Sequence, residues 1–387
     1  MKHLQTIMVN KKQSFKLVIM SVGMTVGIVF VTVLLLVCVS YLSFHQNFKA
    51  TKKALAPIAA SPHLAQSPHL AQRSPFPIDV VYTWVDANDE AWKSERNALT
   101  KRRIRAQLKT HAQRWPVLTN DLSELLLSVR TVRVFMPWVR RIYVVTQRPQ
   151  TPNDRSLLVV HHDEIMSRTN LPTFNSQAIE TSIHKIPGLA EHFIYFNDDM
   201  FVGAPVTPSH FFLEGKPVFR PAGRTLNWFR NSMLAKPFLR HGVGAAPAIR
   251  KMLKVMGGPI HSTDHQMAPL TKSLMMSCET AYAHEWEATQ SHKFRDTQDI
   301  APVTMAYNHG IRMKTVAMFV NDTFQSMVVP FRKLAKKLKK QRPHAFCVND
   351  ITTQSQLLEL QSHIALLTKE SERKRSPEKR EGRESSS

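Results

Sequence analysis

Two adjacent carboxylates close the apolar run Phe193-Ile-Tyr-Phe-Asn197-Asp198-Asp199, and a second apolar stretch, Met200 to Gly203, follows at once. An aromatic, β-branched strand that stops at acidic side chains presents oxygen ligands at the carboxyl edge of a sheet, where α/β proteins bind their ligands. Hard divalent cations such as Mg²⁺ and Mn²⁺ take oxygen ligands and commonly bridge to substrate phosphates. The run therefore predicts a metal-assisted site for a phosphorylated substrate, with Asp199 and Asp198 as its candidate ligands. The competing reading is local, because Asn-Asp-Asp after a strand is also ordinary turn chemistry.

Upstream, Ile78-Asp-Val-Val-Tyr-Thr-Trp-Val-Asp86-Ala-Asn88-Asp89 repeats the design, a strand that runs into an acidic turn, and Glu90 to Leu99 reads as the following helix. Asn120 to Arg130 reads as another helix and Val139 to Thr146 as the next strand. Strands alternating with helices predict an α/β fold, Rossmann-like, around a mostly parallel sheet. Two further stretches hold titratable groups. A helix from Asn175, its candidate N-cap, to Pro187-Gly188 would set Glu180 and His184 on one face, either as a surface pair or as part of a site. In His261-Ser-Thr-Asp264-His265 the two histidines, four apart, would share a helical face and could ligate a transition metal, although no clear third ligand accompanies them.

The segments Ile78 to Asp89, Leu122 to Thr146, Leu171 to Gly203, His265 to Arg295 and Phe346-Cys-Val-Asn349-Asp350 resemble the ordered blocks of the Stealth family. That family contains bacterial capsular and exopolysaccharide sugar-phosphate transferases and the catalytic subunit of the lysosomal-enzyme N-acetylglucosamine-1-phosphotransferase. The resemblance covers residues 78 to 350. It implies a nucleotide-sugar-transferase-like sheet, a catalytic His265, an essential Arg295 and a required Glu180, beside Asp199. Asp86 and Asn88 of the first block, Lys272 of the third and Asn349 of the last are assigned to the substrate on the same ground.

The reaction so implied moves a sugar-1-phosphate from a nucleotide sugar to a glycan hydroxyl. It is an in-line displacement at phosphorus, which needs charge stabilisation of the phosphoryl oxygens and a group to receive the acceptor proton. Histidine can take that proton near neutral pH, arginine can clamp phosphate oxygens in pairs, and Mg²⁺ or Mn²⁺ held by Asp199, with Asp198 or Asp350 as further ligands, would neutralise the diphosphate. Two other functions stay open: a conventional metal-dependent glycosyltransferase, and a non-catalytic membrane-tethered binder of acidic polymer.

The elements that carry these groups have flanks of a different composition. Leu17 to Phe44 is a run of 28 residues without a charge, longer than the roughly 20 that span a bilayer, and it predicts a single transmembrane helix behind a short tail, residues 1–16. Four lysines before it (Lys2, Lys11, Lys12, Lys16) against three after it (Lys49, Lys52, Lys53) leave the orientation nearly balanced, so a bacterial inner membrane and a Golgi-type membrane are both compatible. Residues 45–77, with the tandem Ser61-Pro-His-Leu-Ala-Gln66 and Ser67-Pro-His-Leu-Ala-Gln72, read as a low-complexity stalk. The transferase unit is expected over 78–350, followed over 351–387 by a helix and a disordered charged tail from Glu370. The 387-residue chain carries a net charge of +23, concentrated in Arg332 to Arg342, a basic run with helical spacing. Such a run suits anionic lipid, acidic polymer or simply solvent, while the acidic strand ends and the lack of any nucleic-acid module argue against nucleic acid. Of three cysteines, Cys38 falls in the apolar span; Cys278 and Cys347 are expected free and buried, and no CxxC or Cys/His zinc spacing occurs.

Overall fold

The computed structural model describes residues 74–102, 123–221, 225–226, 245–263, 265–319, 324–348, 351 and 353–384. The chain falls into two units, Met1–Pro68 and His69–Ser387, and all described residues belong to the second. The expected span over 17–44 lies outside them, as does most of the stalk; among the described residues no helix is long and apolar enough to cross a membrane.

The central sheet is built from β1 (Ile78–Thr83), β2 (Ile142–Thr146), β3 (Leu158–His161) and β4 (His192–Asn197), with the later strand Ala268–Thr271 at one edge. Their order is Ala268–Thr271, β4, β1, β2, β3, all parallel except the edge strand, which runs antiparallel to β4. Successive side chains of a strand point to opposite faces, so a sheet covered on both faces needs near-continuous apolar strands. The burial follows that alternation. Val81, Tyr143, Phe193 and Tyr195 pack on one face with Leu274, Trp286 and Tyr307, whereas Val80, Tyr82, Ile194 and Phe196 pack on the other against Leu125, Val129, Val132 and Phe135 of the helix Glu124–Phe135.

The chain steps outward from β1 through β2 to β3 and then returns to the other flank of β1 as β4. That reversal opens a crevice beyond the carboxyl ends of β1 and β4, the usual ligand position in an open α/β sheet. Thr83 pairs with Asn197 at the last step, so both strands release their chains at one level. A small second sheet closes one side of the crevice: Met200–Val202 pairs antiparallel with Ala345–Cys347, which pairs parallel with Ser326–Val328. Gly203 is fixed there because a Cβ would run into the Pro343 carbonyl oxygen.

The fold extends past both expected boundaries. Phe76, assigned to the stalk, stacks on His192 with ring centroids 3.8 Å apart and packs on Phe212. At the other end Leu357, Leu360 and Ile364 are buried with Leu127, Phe201 and Phe346, so the helix Gln354–Glu384 completes a core that does not stop at residue 350. The stretch from Glu370, read from its charge as disordered, continues that helix to Glu384, in keeping with its content of Lys, Arg and Glu, all good helix formers.

Candidate active site

Three turns meet at the crevice. The first leaves β1 at Thr83 and carries Asp86 and Asn88. The buried Gln150 side chain clamps it at Asp86, accepting the Asp86 N–H at 2.9 Å and donating to the Asp86 carbonyl at 2.9 Å. The Asp86 carboxylate turns back to accept the Asn88 N–H at 2.8 Å, and Asp89 caps the helix Glu90–Arg102 through the Trp92 N–H at 3.0 Å. This is the acidic turn the sequence predicts, held rigidly against the sheet.

The second turn leaves β4 and carries Asp198 and Asp199. Val348 donates to the Asp199 carbonyl at 3.0 Å, and the Cys347 thiol hydrogen-bonds the Asp199 side chain. Glu124, the first residue of its helix after the Ser123 cap, stands close enough to feel both aspartates. Burial and the Asp199 charge push the Asp198 carboxyl up to about 7, and burial with both aspartate charges pushes Glu124 well above the carboxylate range. Glu124 has no role in the sequence reading, because a glutamate in a helix's first turn is normally explained by the helix dipole alone. Only the packing of that helix over Met200–Val202 brings it here.

The third turn precedes the edge strand and carries His265. Because Ala268 pairs with Tyr195 in an antiparallel ladder, the chain just before residue 268 runs toward the carboxyl end of β4. A ring nitrogen of His265, a carboxylate oxygen of Asp199 and the sulfur of Cys347 all lie within 4.8 Å of one another. Thus the structure joins Asp199 and His265, which are far apart in sequence. The same ladder separates Lys272 from them: it follows Thr271, which pairs with His192 at the opposite end of β4, and its N–H binds the Glu191 carbonyl at 2.9 Å. At about 3.3 Å per strand residue that is roughly 20 Å from Asp198, so Lys272 is not brought to the site. Asp350 and Asn349 lie outside the described residues.

Can these groups hold a hard divalent cation? Asp199, Asp198 and Glu124 supply oxygen donors whose mutual repulsion, visible in the raised carboxyls, a cation would relieve. Cys347 is fully buried and its thiol is pushed far up by burial and by Asp199, so it serves as a protonated donor to the carboxylate and not as a thiolate ligand. The donor set fits Mg²⁺ or Mn²⁺, with His265 beside it. The helix that would present His261 and His265 on one face is not formed: Ile260–His261 is a short strand tied to Asn308, and His265 sits in a loop.

Glu180 and Arg295 form a second group under β4. The Tyr195 hydroxyl lies 3.3 Å from Glu180 Oε1, 2.9 Å from Asn197 Oδ1 and 2.9 Å from Thr83 Oγ1. One hydroxyl has one proton, so Tyr195 donates to one carbonyl-type oxygen at a time while Thr83 can donate to it. Arg295 Nη2 donates to Ser176 Oγ at 2.7 Å, one turn before Glu180. Burial lifts the Glu180 carboxyl from 4.5 to about 7, with the Arg295 charge and the Tyr195 hydrogen bond opposing it. The Arg295 loop is buckled to this helix by Asp299, which is fully buried and accepts from His292 Nδ1 at 2.6 Å, Asn175 Nδ2 at 2.9 Å and the Asp296 N–H at 2.7 Å. Asn175 is the N-cap, as expected, through the Gln177 N–H at 3.1 Å.

His184 does not share a face with Glu180. The helix is only Ser176–Glu180; Thr181 bonds back to the Ala178 carbonyl at 2.6 Å, the next turn is a tighter 3₁₀ helix, and His184 Nε2 meets Glu279 at 2.9 Å. Cys278 and Cys347 are free and buried, as the sequence predicts.

The raised Glu180 carboxyl has a consequence for stability. A folded-state value of about 7 above an ordinary 4.5 means that the group's contribution is full at low pH and is lost as pH rises through about 7. The melting temperature of Glu180→Gln relative to the natural protein should therefore rise between about pH 5 and about pH 8. An equal difference at both pH values would show that this carboxyl is not desolvated.

Three family models match this chain. Models of Stealth protein conserved region 1, region 2 and region 3 match residues 76–102, 119–219 and 264–311. These stretches carry Asp86 and Asn88, then Glu124, Glu180, Asp198 and Asp199, then His265 and Arg295. A capsular polysaccharide phosphotransferase of Haemophilus influenzae is 34% identical over 300 residues, covering 72% of this chain and 80% of that protein. An exopolysaccharide phosphotransferase of Streptomyces coelicolor is 35% identical over 321 residues, 77% of this chain, and the chain spans 50% of its length. Among solved structures, a galactosyltransferase LgtC in complex with donor and acceptor sugar analogs covers 73% of this chain and 95% of its own at 10% identity and a TM-score of 0.36, too low to bear on fold or chemistry.

Proposed function

The chain belongs to the Stealth family of sugar-phosphate transferases, and on that premise we propose that it moves a sugar-1-phosphate from a nucleotide sugar, most simply a UDP-sugar, to a glycan hydroxyl in capsular or exopolysaccharide synthesis. The observation that carries this reading is the meeting of the Asp198–Asp199 turn with His265 beyond the ends of β1 and β4. Acidic oxygen donors and an imidazole at one ligand crevice are the parts a phosphoryl displacement calls for.

His265 takes the proton of the acceptor hydroxyl, a role open to it because it is exposed and borders the acidic turn. Asp199, assisted by Asp198 and Glu124, holds Mg²⁺ or Mn²⁺; Asp350 is a further proposed ligand. That cation, when bound, neutralises the diphosphate as the nucleoside monophosphate leaves. Arg295 clamps phosphate oxygens, and the ionised Glu180 together with Ser176 aims its guanidinium. Asp86 and Asn88 hold the donor, and Asn349 is a further proposed donor-binding residue. The sheet's reversal point is the support for a nucleotide-sugar-transferase-like, Rossmann-like assignment. The uncharged run Leu17 to Phe44 is the support for a single membrane anchor, in a bacterial inner or a Golgi-type membrane, with residues 45–73 as stalk.

The released nucleotide tests the reading. With a panel of nucleotide sugars, Mg²⁺ and a glycan acceptor, nucleoside monophosphate is the expected product. Release of nucleoside diphosphate would instead mean cleavage of the anomeric carbon–oxygen bond by a conventional glycosyltransferase.

A further inference from the structure

Phe331, Leu334 and Leu338 are buried among Phe201, Phe346, Leu357 and Leu360, so the helix Leu334–Gln341 has its apolar side inside the fold. Arg332 and Lys333 in the turn before it and Lys336, Lys339 and Lys340 on its other side are exposed, and among the described residues none of the five meets a carboxylate. Arg342 does, pairing with Glu370 at 3.1 Å, and the Lys337 ammonium reaches Gln341 at 3.2 Å. Five like charges on so short a stretch repel one another, and a polyanion would offset that repulsion.

The surface also stands beside the site. Three residues, 342–344, join this helix to the strand Ala345–Cys347; His344 accepts the Gly203 N–H at 2.9 Å, and at the far end Cys347 hydrogen-bonds Asp199. The basic strip is therefore joined to the acidic turn by three linker residues and one short strand. Each transfer of a sugar-1-phosphate to a hydroxyl leaves a phosphodiester, so repeated transfer yields an acceptor bearing one negative charge per unit.

We propose that Arg332–Arg342 is the docking surface for this phosphodiester-bearing acceptor chain, a reading that rests on the proposed transfer. Lysine and arginine grip the backbone phosphates and position the chain without reading its sugars, as cationic side chains do on other phosphodiester polymers. A lipid surface fits less well. A helix that lies in a bilayer interface inserts its apolar face, and here that face is committed to the protein core.

The test uses the full-length protein and the triple variant Lys336→Gln/Lys339→Gln/Lys340→Gln, all three exposed, with melting temperature as the check on folding. Polyribitol phosphate serves as the acidic polymer, dextran as the neutral one, and phosphatidylglycerol vesicles as the lipid. The variant should bind polyribitol phosphate at least about tenfold more weakly at low salt, and the log–log salt slope should shrink by roughly two, three charges at about 0.7 each. Transfer to a short neutral acceptor should be unchanged. Undiminished polymer binding would overturn the proposal, and so would loss of vesicle binding with polymer binding retained. Binding is read without turnover, so a wild-type protein that holds the polymer but releases no nucleoside monophosphate would overturn the transfer reading and leave the docking surface standing.

Discussion

Asp199→Asn will remove activity by about 10³-fold or more, roughly 4 kcal/mol of transition-state stabilisation, while leaving the fold in place. The amide keeps the shape of the carboxylate and can still meet the Cys347 thiol, but it brings no charge to a divalent cation. The Asp199 backbone is held independently by Val348, and β4 beneath it is packed on both faces, so the melting temperature should change little. Turnover in the presence of Mg²⁺ or Mn²⁺, and its loss in EDTA, complete the measurement. Full turnover in EDTA, or a folded Asp199→Asn protein that works normally, would remove the cation from the mechanism.

His265→Ala comes next in size, with turnover down by about 10² to 10⁴ under saturating donor, the usual range for losing a general base. Nucleotide-sugar binding should survive, since the ring serves the acceptor's proton. His265 is exposed and lies in a loop, which makes the substitution inexpensive for folding. Arg295→Ala should behave differently. Its guanidinium is tied to Ser176 and senses the Glu180 charge, so its loss should raise KM for the donor as well as lower kcat. A fall of less than tenfold in His265→Ala would be too small for a base. His261, half-buried and with its backbone N–H bonded to Asn308, would then be the next histidine to test, ahead of His184, which is spent on Glu279.

Local patterns made much of the site legible. The runs ending at Asp86 and at Asp198–Asp199 are strands because their side chains alternate between two buried faces, and both reach the crevice because parallel strands end together. The N-cap role of Asn175 followed from its position before a helix, a geometry confined to three or four residues. The burial of Leu334 and Leu338 likewise follows from helical spacing within the basic run.

Where contacts depend on how far a helix runs or which way a strand returns, the same reasoning stopped. Glu180 and His184 would be neighbours on a longer helix, but the helix ends at Thr181, whose hydroxyl bonds back to the Ala178 carbonyl, and Glu279 from a distant helix takes the histidine. Lys272 follows His265 closely in sequence, yet an antiparallel edge strand carries it to the other end of β4. Glu124 carries no local sign of function.

The sequence by itself determined the strand ends, the acidic turns and the residue types that phosphoryl chemistry needs, because periodicity and turn propensity act over a few residues. Only the tertiary structure decided which charges face one another. Asp199, His265 and Cys347 meet across separations of 66 and 82 residues, from 199 to 265 and from 265 to 347, through one strand pairing on each side of the acidic turn. Asp299 ties the Arg295 loop to the Glu180 helix in the same way, by a buried hydrogen bond from Asn175 that exists only once both segments are packed, while its bonds from His292 and Asp296 close the loop itself. Desolvation, and with it the rise of Glu180 and Asp198 to about 7, is a property of that packing and has no counterpart in the unfolded chain.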